Sequence, residues 1–360
     1  MKTTHLSLGA LFAALALGAQ ADAITDWNTK AAEFITEARM GTPPAIRLMA
    51  LAQTAAHDAV TAAQQAGDQA ASAEAAIAAS QRGVLLKLLP AQQAAIEAAY
   101  AQALAGIADG PAKAAGLAAG ERAAAELLAA RLNDGAAAPE AYRPQTAPGT
   151  YVPTAAMAVP QWAHRKPWLM GSPSQFRPAP PPPLASEQWA RDFNEVKALG
   201  ARNSPQRSAE QTEIARFWEY SLPAIYHGVL RSVAQQPDRD LARNARLFAV
   251  GAQAMDDALI AVFDAKYHHG FWRPATAIRN GDSDGHHATE RDASWASLID
   301  APMHPEFPSG HSILAATVAT VVKAETSAGA MPPLSTSSPT AKGATRQWSN
   351  VDDFVREVSN

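Results

Sequence analysis

Along residues 24–133 alanines and apolar side chains recur at helical spacing among polar positions, with few β-branched residues. Such a composition loses little side-chain entropy in a helix, so four or five packed helices are expected here. Thr42 followed by Pro43 marks one start, because proline in the first turn gives up no helical hydrogen bond. Asp109-Gly110-Pro111 marks a break, after which a helix resumes near Ala112 and carries Leu127, Leu128 and Leu132. The alanine repetition has no fixed period, so no solenoid is implied.

Residues 136–185 interrupt this pattern. Pro144, Pro148, Pro153, Pro160, Pro167, Pro173, Pro178 and the run 180–183 forbid long helices and central strands. Tyr151, Trp162, Trp168, Leu169 and Phe176 favour burial, which predicts an ordered wrap rather than a loose linker. Helical signals return at Ser186, a cap for a helix ending near Gly200. They continue at Ser208 with Gln211, a capping box ahead of Ile214, Phe217 and Trp218. A long helix follows from about Asp238 to Lys266. No alternating run reads as a strand, so the expected class is all-α, a helical bundle with a Pro-rich irregular wrap. The chain divides into residues 22–135, Ala-rich and helical; 136–185, irregular; and 186–360, a second helical domain.

Composition then narrows the chemistry. With 360 residues, 48% of them hydrophobic, the chain has the material for a sizeable core. A net charge of -4 provides no basic field, so no nucleic-acid partner is expected. The absence of cysteine excludes disulfides, thiolate metal sites and cysteine nucleophiles. Residues 1–21 read as a signal peptide: Lys2, an apolar stretch over 6–17, and Ala19-Gln20-Ala21 before a cut at Asp22. An exported protein, periplasmic or secreted, is expected. Beyond the signal Asp256 and Asp257 interrupt one apolar stretch and Lys323 closes another, so no membrane span should remain. No feature fixes an oligomeric state.

Two clusters carry candidate chemistry. Lys266 and Arg273, seven apart around Gly270 at the end of the long helix, present an ammonium and a planar guanidinium suited to a polyoxyanion. Alone, the pair is weak evidence, because cations near a helix C-terminus commonly just face solvent. In His304-Pro305-Glu306-Phe307-Pro308-Ser309-Gly310-His311 the last three residues open another helix. Free backbone N–H groups there can bind an anion, with the Ser309 hydroxyl as a further donor and His311 as an acid or base. The plainer alternative is Ser309 as an ordinary cap with His311 exposed. Other readings are weaker. The pairs His268-His269 and His286-His287, with His304, lack zinc-ligand spacing and read as exposed loop residues. His57 and Asp58 diverge on one helix, so packing or capping is expected of them. Asp257 and Asp264 share a helix face, from which one is expected to pair with Lys266 or Arg273.

Lys-x6-Arg-Pro followed downstream by Pro-Ser-Gly-His resembles the signature of the type 2 phosphatidic acid phosphatase and vanadium-dependent haloperoxidase superfamily. Ala56-His57-Asp58-Ala59-Val60, Asn203-Ser204 with Arg207, Phe217-Trp218, Phe271-Trp272-Arg273-Pro274 and His304-Pro305-Glu306-Phe307-Pro308 resemble its secreted bacterial haloperoxidase-like branch. The resemblance spans roughly residues 40–360 and implies the all-α bundle of the haloperoxidase and acid phosphatase type. It implies that Lys266, Arg273, Ser309 and Gly310 hold vanadate or phosphate and that His311 is the acid–base histidine. As a haloperoxidase the chain would use vanadate, with halide and hydrogen peroxide as substrates. As an acid phosphatase it would need no cofactor and would cleave a phosphate ester through a histidine nucleophile.

The superfamily's third motif, an Arg followed by Gly-x-His, is not found after His311, the last histidine of the chain. Residues 347–360 resemble the approach to it, but Arg346 and Arg356 are not matches. The expectation is therefore a C-terminally incomplete chain, without an identifiable vanadium-ligating or nucleophilic histidine and with absent or very low activity. A catalytically silent relative is the third reading.

Overall fold

The computed structural model describes residues 22–65, 71–327 and 329–360, so the signal-peptide expectation lies outside the described residues. Five helices occupy the Ala-rich region: α1 (Ala23–Glu37), α2 (Thr42–Gln64), α3 (Ala73–Leu88), α4 (Gln93–Ala105) and α5 (Pro111–Ala130). Pro43 and Pro111 both fall in a first turn, as their missing N–H requires. Leu132 lies past the end of α5 and is 69% exposed, contrary to the helical continuation read from the sequence.

Small residues set the spacing of these helices. A Cβ on Gly116 would lie 2.3 Å from the Ser72 carbonyl oxygen, and one on Gly120 would lie 2.2 Å from that of Ala76. The backbones of α3 and α5 therefore touch where the alanine-rich faces meet. Gly120→Ala is expected to force them apart and cost about 1–3 kcal/mol, read as a lower midpoint in urea. Gly106→Ala, which meets nothing within 4 Å, is expected to leave the midpoint nearly unchanged.

The second helical region comprises α6 (Glu187–Leu199), α7 (Ala209–Trp218), α8 (Pro223–Ala234), α9 (Leu241–His269), α10 (Pro274–Arg279), α11 (Gly310–Thr326) and α12 (Val351–Ser359). Ser186 caps α6 and the Ser208/Gln211 capping box starts α7, both as the sequence predicts. The 29-residue α9 is buried around most of its circumference and packs on α2, α8 and α11. The largest apolar cluster joins Ile24, Leu48 and Ile77 to Phe248, Val318 and Phe354, so both helical regions contribute to it. No described helix is long and apolar enough to cross a membrane.

One expectation fails locally. A hairpin of β1 (Leu334–Ser338) and β2 (Ala344–Trp348) pairs antiparallel, Leu334 opposite Trp348. Its buried positions on β1 are Leu334, Thr336 and Ser338, a mostly hydroxylated face that gives no hydrophobic alternation. Ser338 instead donates to the Phe217 carbonyl at 2.7 Å.

Residues 136–185 form the expected ordered wrap, with a short 3₁₀ turn at Pro160–His164. Polar anchors hold it alongside its buried aromatic residues. Tyr151 and Trp162 are buried, whereas Leu169 and Phe176 are exposed, contrary to expectation. Arg165, fully buried, bridges Asp134 at 2.8 Å and Asp256 at 2.7 Å. Asp257 accepts the backbone N–H groups of Trp168, Leu169 and Met170, and Asp264 pairs with Arg177. These two carboxylates bind the wrap, which corrects the expected pairing with Lys266 or Arg273.

Candidate oxyanion site

The C-terminus of α9 positions the first cation. Gly270 adopts a left-handed conformation at φ 56°, and its N–H returns to the Lys266 carbonyl at 2.8 Å, which closes the helix. The wrap pins the strand-like exit: Tyr151 N–H donates to Gly270 O, and Trp272 N–H to Gly149 O. This exit carries Arg273 to the start of α10, back toward the turn holding Lys266.

Residues 304–306 draw the two cations together. Lys266 Nζ donates to the carbonyls of Pro305 at 2.9 Å and Glu306 at 2.6 Å. Arg273 donates from Nε to the His304 carbonyl, from Nη1 to the Glu306 carboxylate at 2.5 Å, and from Nη2 to His304 Nδ1 at 2.7 Å. Because a guanidinium only donates, His304 Nδ1 must accept, and its 3.1 Å approach to the Pro305 oxygen is then a bare contact. His304 is half-buried against Phe263, which corrects the exposed-loop reading of this residue. Burial, then the charges of Lys266 and Arg273, lower its pKa to about 3.

Lys266 is 2% exposed and has no carboxylate within salt-bridge distance among the described residues. Burial pulls its pKa down to about 7; Glu306 opposes this shift and Arg273 adds to it. A charged ammonium here lacks a full counter-charge.

Three residues after Glu306, Ser309 caps α11, accepting the Ser312 N–H at 3.2 Å and the Ser312 hydroxyl at 3.0 Å. Gly310 and His311 occupy the first turn, where backbone N–H groups have no helical acceptor. A Cβ on Gly310 would meet nothing within 4 Å, so the space over this turn is open. His311 is half-buried rather than exposed, and its Nδ1 lies 2.7 Å from the Tyr226 hydroxyl of α8. Burial, with Lys266 second, lowers its pKa to about 4, so it is neutral at neutral pH. Burial also pushes the Tyr226 hydroxyl up, so it keeps its proton and shares one hydrogen bond with Nδ1, whose direction follows the imidazole tautomer.

The structure thus gathers Lys266 and Arg273 around the segment that leads into Ser309, Gly310 and His311. Glu306 and Tyr226 are the functional neighbours that sequence reasoning left without a role. The first stands inside the quoted motif, whereas Tyr226 is 85 residues from its partner and gives no local signal. A cavity of about 310 Å³ opens beside Arg273 and Glu306, walled by Val196, Leu199, Trp295, Leu298, Ile299 and Pro302. Arg207 also lines it, but its guanidinium is committed to the Leu199 and Ala201 carbonyls. Among the described residues no three His, Asp or Glu side chains cluster as a cation site.

Residues 246–360 match the family model described as the VCPO second helical-bundle domain. A vanadium chloroperoxidase from Curvularia inaequalis is 30% identical over 149 residues, covering 34% of this chain and 24% of that protein. The match therefore spans about a quarter of the relative's length. The fold resembles a bacterial vanadium-dependent iodoperoxidase with a TM-score of 0.75 and 20% identity, over 93% of this chain and 88% of that one. It also resembles a bacterial vanadium-dependent chloroperoxidase in its holo form, with a TM-score of 0.70 and 18% identity, over 89% and 86% of the two chains. Residues 246–360 thus resemble the VCPO second helical-bundle domain, and the described fold resembles that of bacterial vanadium-dependent haloperoxidases.

Proposed function

We propose that this chain binds a tetrahedral oxyanion, vanadate or phosphate, between Lys266, Arg273 and the N-terminus of α11, as the larger part of a haloperoxidase-type site. The observation that carries the reading is Lys266, a buried ammonium without a carboxylate partner, close enough to His311 in the first turn of α11 to depress its pKa. An oxyanion supplies the missing counter-charge. Open space over Gly310 lets it approach the free N–H groups, and the helix dipole favours it there.

These residues fit vanadate: Lys266, Arg273, Ser309 and Gly310 would hold its oxygens. Vanadate, when bound, would supply activation of hydrogen peroxide toward halide. The chain's own contribution is to fix the anion, neutralise its charge and hold a neutral His311 oriented by Tyr226 for proton transfer. No histidine follows His311 in these 360 residues, so the proposal for them is oxyanion binding. The cavity beside Arg273 provides an approach for a small substrate. Export belongs to the same proposal and rests on the character of residues 1–21.

Calorimetric titration with inorganic phosphate and vanadate, paired with NMR of the His311 ring, tests this reading. Binding is expected to raise the His311 midpoint from about 4, because the anion offsets the Lys266 charge that helps depress it. No heat of binding and an unmoved midpoint would reject the site.

A further inference from the structure

Arg273 is gripped on three nitrogens by one short segment, through the His304 carbonyl, the His304 ring and the Glu306 carboxylate. Lys266 donates to the main-chain oxygen of the same Glu306. Among the described residues, Glu306 is the one acidic side chain within salt-bridge distance of either cation. Its side chain is 39% exposed and makes no other hydrogen bond there. Packing therefore does not require a carboxylate at this position, since a neutral amide would also accept from Arg273 and fill the same volume.

A carboxylate does change what the site accepts. An incoming anion meets two cations and, beside them, one fixed negative charge. Repulsion from that charge grows linearly with the charge on the anion. We propose that Glu306 is a specificity-determining residue, the internal counter-ion that lowers this site's preference for doubly charged over singly charged tetrahedral oxyanions. This inference rests on the oxyanion reading above.

The test compares sulfate, a permanent dianion, with perrhenate, a tetrahedral monoanion, by calorimetry at fixed ionic strength on the chain and on Glu306→Gln. Glutamine keeps an oxygen for Arg273 Nη1 and removes only the charge. Sulfate affinity is expected to rise about tenfold and perrhenate affinity about threefold, because the interaction energy doubles with the charge. The ratio of the two affinities should thus move about threefold toward sulfate. Glu306→Ala, which also loses the hydrogen bond to Arg273, is expected to show the same change in ratio even if both affinities fall. Equal factors for the two anions, or a shift toward perrhenate, would overturn the role of Glu306 while leaving the oxyanion site intact. Failure of the chain and both variants to bind either anion would overturn both.

Discussion

Lys266→Met should weaken phosphate and vanadate binding by about 10- to 100-fold, the loss expected for a charge-assisted hydrogen bond in a buried site. It should also change how stability responds to pH. The folded pKa of Lys266 is lowered to about 7, from 10.5 for an unperturbed lysine. Between those values the unfolded chain binds more protons than the folded one, so this group makes stability rise with pH across the window. Below about pH 7 both states are protonated and the full cost of burying the charge is present. Methionine cannot titrate, so the stability of the wild type relative to Lys266→Met should increase from about pH 6 to about pH 10 by a few kcal/mol. Urea denaturation of both proteins across that range checks it. A constant difference would mean that Lys266 is not held in a charge-starved site.

Arg165→Met should be the most damaging substitution outside that site. Arg165, Asp134 and Asp256 are all buried; removal of the cation strands the Asp256 carboxylate, whereas Asp134 keeps Arg47. Breaking such a group from one side costs about 3–5 kcal/mol. Burial alone raises Asp134, but the hydrogen bonds and positive charges of Arg47 and Arg165 outweigh it, so its carboxyl lies below the usual range. That part of the stability is present above the ordinary carboxylate pKa and is lost as pH falls through the lowered one. In Arg165→Met, Asp256 keeps only the Trp168 indole N–H, at 2.8 Å, among its side-chain partners. Arg165→Met combined with Asp256→Leu should recover part of the loss, since no unpaired charge then remains at position 256. Chemical denaturation of the single and double variants at neutral and acidic pH measures both effects.

Local chemistry made the helices legible. Pro43, Pro111, Ser186 and the Ser208/Gln211 box each act within one turn of where they stand, and the structure places helix starts at all four. The β1–β2 hairpin was not legible because its inward face uses Ser338, whose hydroxyl finds its acceptor on the distant α7, and Thr336, which sits against Gly228 of α8. The wrap was recognisable from its prolines and aromatics, but not its anchors. Asp256 and Asp257 look like interruptions of an apolar helix until Arg165 and the backbone of residues 168–170 meet them from about 90 positions away. Likewise the candidate site residues stand in two compact motifs, whereas the Arg273–Glu306 pair and the Tyr226–His311 bond exist only once the chain has folded.

One oxyanion should sit between Lys266, Arg273 and the first turn of α11. Crystals of the chain soaked in orthovanadate test it most directly. Tetrahedral density about 3 Å from Lys266 Nζ, a free Arg273 N–H and the N–H groups at Gly310 is the expected result. Density elsewhere, or an unliganded pocket at saturating vanadate, would contradict the account.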